Sequence, residues 1–407
     1  MKILVMHQVP YRKIGYHLAI DHEAHDVTYF GTADSIAEIP PSLRCGRVVL
    51  DGPDGLAEQI IARTDRADGW EQVLALSEFG ILEAAAVREH LGIPGPDRAR
   101  LELIRDKVAM KRALVEADVR HPRFVAAPPA SGRLPWTGRT VVKPRQGASS
   151  DGVTIHATAE EALAHHRELP DPLEYQLEEY IEGELFHADG LVTAGQVTDL
   201  VVSRYIGKPV DFAAGAPIAT GQLPADPRHT AFTERVVEAL RIEAGCIHLE
   251  FFETAAGELV FLEVANRLGG GGIVTSHLRH TGVHLGHHEV AIRLGLPRPA
   301  PLAPSGRYHG FAIFPGHRLD PSRPWRTEVP ERLRDHPALD RLHLLEDPGT
   351  GSDGGSARIT YQEWQVPAFI EASHPDPVEL ARFLADCAGS IRVSQPEPAH
   401  TPGGPRP

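Results

Sequence analysis

The sequence is poor in cysteine. Cys45, Cys246 and Cys387 are scattered through 407 positions without a CxxC spacing, which argues against a disulfide framework or a cysteine zinc cluster. Long apolar runs are missing as well: no stretch approaches the roughly 20 residues that a membrane span requires. No charged-then-apolar leader opens the chain either. Met1-Lys2 passes directly into Ile3-Leu4-Val5, and His7 and Gln8 end that run, so it reads as a first buried strand and not as a signal peptide. A soluble, cytoplasmic protein with no membrane partner is expected. Positive charge is in deficit, the net charge being -14. Nucleic-acid surfaces need a basic field, so no nucleic-acid partner is expected. A small polyphosphate is still admissible, because a few placed lysines and a metal override the global charge locally. The turn after the first strand, His7-Gln8-Val9-Pro10, lacks GxGxxG, which disfavours a dinucleotide-binding domain.

What is present fits two or three packed domains. Hydrophobic residues at 42% supply a core, and charged residues at 24% an ordinary surface. Residues 1–6, Asp26 to Phe30 and Arg47 to Leu50 read as strands, and Leu56 to Arg66 and Gly80 to Leu91 as helices. This alternation predicts a parallel α/β domain over 1–95. After the turn chemistry of Gly92 to Pro96, Asp97 to Ala117 reads as one helix, with Leu101, Ile104, Val108 and Val115 near helical spacing. Ala126 to Pro135 is a linker or loop. Thr140 to Val142 and Gly152 to Ile155 are short strands flanking a flexible loop, followed by a helix Ala159 to Glu168 and a strand Tyr175 to Leu177. Residues 96–185 thus make a small lobe. A larger mixed body spans 186–393, with a helix from Pro227 or His229 to Arg241, a β-rich extension from 305, and a helix around Pro377 to Cys387. Residues 394–407, rich in Pro and Gly, predict a disordered tail. The fold class is α/β, α+β overall.

The strongest chemical signal is a pair of β-rich runs, His248 to Phe252 and Glu258 to Val264, around the turn Thr254-Ala255-Ala256-Gly257. They predict a hairpin. Pairing Glu253 with Glu258 sets Glu250 against Phe261 and His248 against Glu263. That puts His248, Glu250, Phe261 and Glu263 on one face, and Leu249, Phe251, Val260, Leu262 and Val264 on an apolar one. Glu250 and Glu263 are then diagonal neighbours, about 7–8 Å apart at Cβ. Two such carboxylates are a solvated face or a Mg²⁺ site, since Mg²⁺ takes oxygen ligands beside nucleotide phosphates. Directly after Glu263 come Arg267 and the run Gly269 to Gly272, opening onto a helix. Glycine amides before a helix form an anion nest, and a guanidinium is a planar fork for carboxylate or phosphate. A second signal is Lys143 at a strand end before Gln146-Gly147-Ala148-Ser149-Ser150, a small-residue loop that can cover a polyphosphate without matching the P-loop spacing. A third is Glu178-Glu179-Tyr180-Ile181, extended and acidic; a fourth is Arg105-Asp106-Lys107.

In this order the four stretches resemble the ATP-grasp superfamily over roughly residues 1–300. The run Glu263-Val264-Ala265-Asn266-Arg267-Leu268-Gly269-Gly270 is similar to the branch of L-amino acid ligases and other carboxylate-amine ligases. The resemblance implies an N-terminal parallel α/β pre-ATP-grasp domain, a two-lobed, biotin carboxylase-like ATP-grasp fold and a C-terminal β-rich lobe. Lys107 and Lys143 then match the two phosphate lysines, and Gln146, Gly147, Ser149 and Ser150 the phosphate-covering loop. Glu178, Glu179, Tyr180 and Ile181 match the adenine hinge, while Glu184 and His187 lie where ribose or phosphate contacts are expected. Glu250 and Glu263 match the magnesium carboxylates, and Arg267 the arginine near the reacting phosphoryl group. Many members read Glu-x-Asn-x-Arg; here Ala265 stands at the asparagine position and Asn266 is displaced by one, remaining a candidate metal contact.

The implied activity is ATP-dependent ligation with Mg²⁺ or Mn²⁺, two ions in the family pattern, joining a small carboxylate to an amine through an acyl phosphate. Arg267 and Lys143 are the catalytic candidates. Arg267, Gly269, Gly270, Arg204 and Ser276, with His277 beside it, are the substrate candidates, and Lys208 to Leu223 is a long loop expected near the cleft. Other acceptors stay open: a carrier-protein thiol, bicarbonate, or none at all in a nucleotide-binding regulator. A homodimer follows by family analogy.

Overall fold

The computed structural model describes residues 1–129, 132–320, 323–345 and 359–395. The chain divides into two compact units, Met1–Arg204 with Gln222–Gly306, and Tyr205–Gly221 with Arg307–Pro407.

The first unit opens with the expected parallel sheet. Lys2–Met6 lies between Asp26–Gly31 and Gln72–Ala75, and Gly46–Val49 borders Asp26–Gly31. Ile3, Leu4, Val5 and Met6 are all buried, as a parallel sheet covered on both faces requires. Its fourth strand, Gln72–Ala75, is not among those expected from the sequence. The helix expected from Leu56 to Arg66 stops at Ile61, while Gly80–Leu91 keeps its full length and ends on Gly92 in the left-handed region at φ 71°.

The single helix expected over 97–117 is two, Arg98–Glu102 and Lys107–Glu116. Asp106 causes the break. Its backbone is extended, and its carboxylate accepts from the N–H groups of Val108 and Ala109 at 2.8 and 3.1 Å, so a fresh helix begins at Lys107. Next comes a small antiparallel sheet. Thr140–Pro144 lies between Thr154–His156 and Tyr175–Glu179, with Phe124–Val125 on the outer side of Tyr175–Glu179. The helix Ala159–Glu168 covers it, closing a core of Trp136, Val142, Ala162, Leu163 and Leu177.

A second antiparallel array of the same unit runs in the order Leu259–Ala265, Ala244–Glu253, Glu184–Thr193, Gln196–Ile206. Phe186, Val202, Phe251 and Phe261 join Leu114, Phe232 and Val236 in its core. The hairpin forms, but its expected register is corrected. Glu253 pairs with Leu259 and Phe251 with Phe261, then an irregularity after Glu250 sets Glu250 directly opposite Glu263 and His248 opposite Ala265. One extra residue in a strand flips the faces beyond it. Phe261 therefore joins the apolar side, fully buried, and the two glutamates are opposed, not diagonal.

In the second unit Ile218–Gln222, Tyr308–Phe314, Ala368–His374 and Leu339–Leu344 form an antiparallel sheet. The helix Pro377–Ser390 contributes Leu380, Phe383 and Leu384 to a core with Ala312, Phe314 and Ile370. The long loop expected from Lys208 to Leu223 is instead a short helix, Pro209–Ala213, and the strand Ile218–Gln222. Ser394 closes a strand, Arg392–Ser394, paired with Arg326–Glu328. The expected tail lies, beyond Gln395, outside the described residues, as do residues 130 and 131 of the expected linker. Among the described residues no helix is long and apolar enough to cross a membrane.

Candidate active site

Three elements of the first unit supply the cations. Asp106, besides capping its helix, accepts from Arg145 Nη2 at 2.5 Å, and the Lys107 N–H donates to the Arg145 carbonyl at 2.9 Å. The start of the helix and the start of the small-residue loop are thereby pinned together. Lys107 is aimed inward: its Nζ donates to the Gly147 carbonyl at 3.0 Å and lies 3.3 Å from Glu263 Oε2. Gly147 stands at φ 143°, and Ser149 and Ser150 at φ 61° and 56°, a left-handed pair that non-glycine residues seldom adopt. Gln146 is exposed.

Lys143 Nζ reaches Glu178 Oε2 at 3.0 Å, and Lys111 Nζ reaches Glu178 Oε1 at 2.5 Å. Lys111 and Glu178 are almost wholly buried. Burial pushes the Lys111 ammonium down to about 8 against the pull of Glu178. Burial also works to raise Glu178, but Lys111 and Lys143 outweigh it and hold that carboxylate below its ordinary range. The Glu179 carboxylate is likewise engaged, by Arg120 Nη2 at 2.9 Å and Arg123 Nε at 2.6 Å. Glu178 and Glu179 are thus both committed to protein cations. The Arg139 guanidinium lies 3.6 Å from the Tyr180 ring centre, and Ile181 is buried.

Glu250 and Glu263 face one another on the opposed strands. Burial would raise Glu263, but Lys107 and Lys143 bring it down to about 2, so it is ionised at any physiological pH. Arg267 follows on the same strand end. Its Nε donates to Glu78 Oε2 at 2.7 Å, and Arg105 Nη1 donates to the other Glu78 oxygen at 2.5 Å. Gly269 is tightly enclosed: a Cβ there would lie 2.7 Å from Asp189 Oδ1 and 2.5 Å from Ile273 Cδ1. Its carbonyl accepts from Lys13 Nζ at 2.8 Å. Burial, with Arg267 nearby, lowers the Lys13 ammonium to about 8.

His187 is not an open side chain. Its Nδ1 bonds to Asp189 Oδ2 at 2.5 Å, and the other Asp189 oxygen bonds to His248 Nδ1 at 2.8 Å. His248 Nε2 in turn lies 3.5 Å from Glu250 Oε1. Burial alone would lower His248, yet the Asp189 and Glu250 carboxylates raise it to about 9. The three residues His187, Asp189 and His248 form a charge cluster behind Glu250.

Several sequence candidates lie elsewhere. Asn266 is corrected as a metal contact: its Nδ2 donates to the carbonyls of Ala244 and Cys246 at 3.1 and 2.7 Å, and its Oδ1 accepts from Arg293. It is turned away because successive strand residues alternate faces. Glu184 is exposed and paired with Arg204 at 3.0 Å. His277 is a structural residue, bonding the Val283 and Asp199 carbonyls at 3.0 and 2.7 Å. Ser276 is half-buried in the helix Ile273–Thr281, and Gly270 accepts from the Ile273 N–H ahead of that helix. Sequence reasoning missed Glu78 and Lys13. Glu78 sits just beyond the C-terminal end of Gln72–Ala75, the edge where open parallel sheets present functional loops, and that strand had itself gone unseen.

The donor set suits a hard divalent cation. Glu250 and Glu263 offer only oxygens, Glu263 is kept ionised, and the flanking lysines and Arg267 suit a bound polyphosphate.

Residues 104–271 match the profile of the ATP-grasp domain. The L-arginine-specific L-amino acid ligase of Bacillus subtilis is 28% identical over 225 residues, which is 50% of this chain and 53% of that protein. The chain thus spans about half the length of this curated relative. Among solved structures, L-amino acid ligase from Bacillus licheniformis superposes with a TM-score of 0.69 at 18% identity, covering 97% of this chain and 98% of the other. N5-carboxyaminoimidazole ribonucleotide synthetase from Thermotoga maritima gives 0.64 at 16%, covering 96% and 99%. These superpositions establish a shared fold: mixed α/β, a parallel N-terminal sheet followed by antiparallel sheets, consistent with the ATP-grasp architecture. Residues 104–271 thus carry the ATP-grasp domain profile, and the chain resembles the L-amino acid ligases, in sequence over half its length and in fold over nearly all of it.

Proposed function

We propose that the chain is an ATP-dependent carboxylate-amine ligase, which activates a small acid as its acyl phosphate and couples it to an amine. One observation carries the reading: Glu250 and Glu263 are opposed in register, with Lys107 3.3 Å from Glu263 and Arg267 held by Glu78 at the same strand end. Two carboxylates set directly opposite one another repel unless cations or a metal ion lie between them, and the cations here are of the kind that also binds phosphate. The likeness to an L-amino acid ligase over half the chain makes an amino acid the first acid to test.

Lys107 and Lys143 hold the phosphates, the segment 146–150 covers them, and Arg267 orients the acid's carboxylate against the γ-phosphorus. A carboxylate oxygen attacks that phosphorus and ADP departs. The amine nitrogen then attacks the acyl carbon, phosphate leaves with its electron pair, and the ammonium substrate gives up its protons. Overall, acid, ammonium and ATP become amide, ADP, hydrogen phosphate and one proton. Glu250 and Glu263 would hold Mg²⁺ or Mn²⁺, two ions in the implied pattern, which when bound neutralises charge on the phosphate oxygens. Closure of the loop keeps water from the acyl phosphate.

The test is ADP and phosphate release with Mg²⁺-ATP against pairs of amino acids, beside Glu263→Gln. Release that requires both an acid and an amine, and disappears in the variant, supports amide ligation. Release with one acid alone points to another acceptor, such as a carrier thiol. ATP binding without release under any pairing favours a regulator.

A further inference from the structure

Bordered by Ala244 and Asn266 at the end of the hairpin, and wholly within the first unit, lies a cavity of about 230 Å³. None of Glu78, Arg105, Lys107, Lys143, Glu250, Glu263 or Arg267 lines it. Two pairs of chain neighbours explain the separation: Ile104 and Asn266 line the cavity, while Arg105 and Arg267 meet on Glu78.

The walls are apolar where Ile81, Ala84, Leu101, Ile104 and Leu240 close in, and cationic where Arg88, Arg100, Arg241 and Arg293 do. Among the described residues Glu243 is the single acidic one of the lining, and Arg100 takes it up at 2.6 Å. In a chain of net charge -14 this is a local excess of positive charge. Arg88 carries the argument furthest. Among the described residues its one acceptor is the Pro96 carbonyl, at 3.3 Å from Nη2, and its Nε–H is shut off from solvent with no partner there. No carboxylate among the described residues pairs with it. Arg293 spends Nε and Nη2 on Glu289 and Asn266, which leaves Nη1 without an acceptor among the described residues. Burial, and then the charge of Arg293, disfavour the Arg88 cation; Arg293 is itself paired with Glu289 at 2.8 Å, whereas Arg88 has no carboxylate partner among the described residues. An under-satisfied, partly desolvated guanidinium gains most from an anion.

We propose that this cavity is a second ligand site, separate from the reacting centre, which takes a small monocarboxylate with an aliphatic body. The carboxylate lies against Arg88 and Arg293, and the hydrocarbon against Ile81, Leu101 and Ile104. At about 30 Å³ per water the cavity volume corresponds to roughly eight waters, hence a molecule on the order of eight non-hydrogen atoms. Asn266 forms part of the wall and precedes Arg267, so an occupant touches the strand end that carries the reactive arginine.

The probe is 4-methylvalerate, with 4-methylvaleramide as its neutral isostere, titrated calorimetrically into the full chain, Arg88→Gln, Arg88→Lys and Arg267→Ala. The expected result is saturable binding of the acid to the wild type and to Arg267→Ala, about tenfold or more weaker in Arg88→Gln. Arg88→Lys should fall between, and the amide should bind about tenfold more weakly than the acid. Should Arg88→Gln fail to fold, the acid-against-amide comparison on the wild type and Arg267→Ala still decides. Equal binding of acid and amide, affinity retained in a folded Arg88→Gln, loss in Arg267→Ala, or a Kd weaker than about 10 mM each overturns the proposal.

Discussion

Asp106 is the residue through which local structure and the proposed chemistry are most tightly joined, and two substitutions separate its roles. Its carboxylate caps Lys107–Glu116 at two N–H groups and pairs with Arg145 at 2.5 Å. Loss of such a cap costs about 1 kcal/mol, with a range of 0.5–2. The pair with Arg145, whose side chain is 32% exposed, is worth about 0.5–1 kcal/mol at that exposure. Asp106→Ala loses both and should destabilise by roughly 2 kcal/mol. Asp106→Asn keeps a cap oxygen and loses the charge, so about 0.5–1 kcal/mol is expected. Urea unfolding followed by far-ultraviolet circular dichroism reads the difference from the midpoints at unchanged slope. Because Lys107 and the 145–150 segment both hang on this residue, the KM for ATP should rise more in Asp106→Ala than in Asp106→Asn. Equal destabilisation by the two substitutions would refute the cap as the anchor.

Three further outcomes are expected. Glu78→Gln leaves Arg105 and Arg267 facing each other without a carboxylate, and kcat should fall by about 10- to 100-fold as Arg267 loses its hold; an unchanged kcat would free Arg267 of any dependence on Glu78. Gly269→Ala forces a Cβ to 2.5 Å from Ile273 Cδ1, and thermal unfolding should reveal a loss of about 1–3 kcal/mol. His7 and His288 are buried, and burial lowers each to about 4. Between pH 6.5 and 4 the unfolded chain therefore binds protons that the folded chain refuses, so stability falls as pH drops through that window, by up to about 3 kcal/mol for each histidine. His7→Phe should make the slope of unfolding free energy against pH shallower between those limits, and an unaltered slope would count against a neutral His7.

Legibility in the sequence followed the strength of local signals. The parallel strand Lys2–Met6 and the helices Gly80–Leu91 and Ala159–Glu168 were readable because their apolar patterns and boundaries are local. The hairpin was readable too, but not its register, because the irregularity after Glu250 leaves no mark in composition. The break at Asp106 escaped because helical spacing continues across it, although an aspartate before Lys107 is itself a capping signal. The glutamates and lysines of the candidate site stood out through motif order. Glu78 and Lys13 did not, since each meets Arg267 or Gly269 only through tertiary packing across 189 and 256 residues of chain. Long-range pairs of this kind carry no local period.

The proposed function rests on activation of the acid by phosphorylation before the amine attacks. An acid labelled with oxygen-18 in its carboxylate, incubated with an amine, Mg²⁺ and ATP, tests it directly by mass analysis of the products. One labelled oxygen in inorganic phosphate is expected for each amide formed. Label appearing in AMP, or phosphate free of label while amide accumulates, would contradict it.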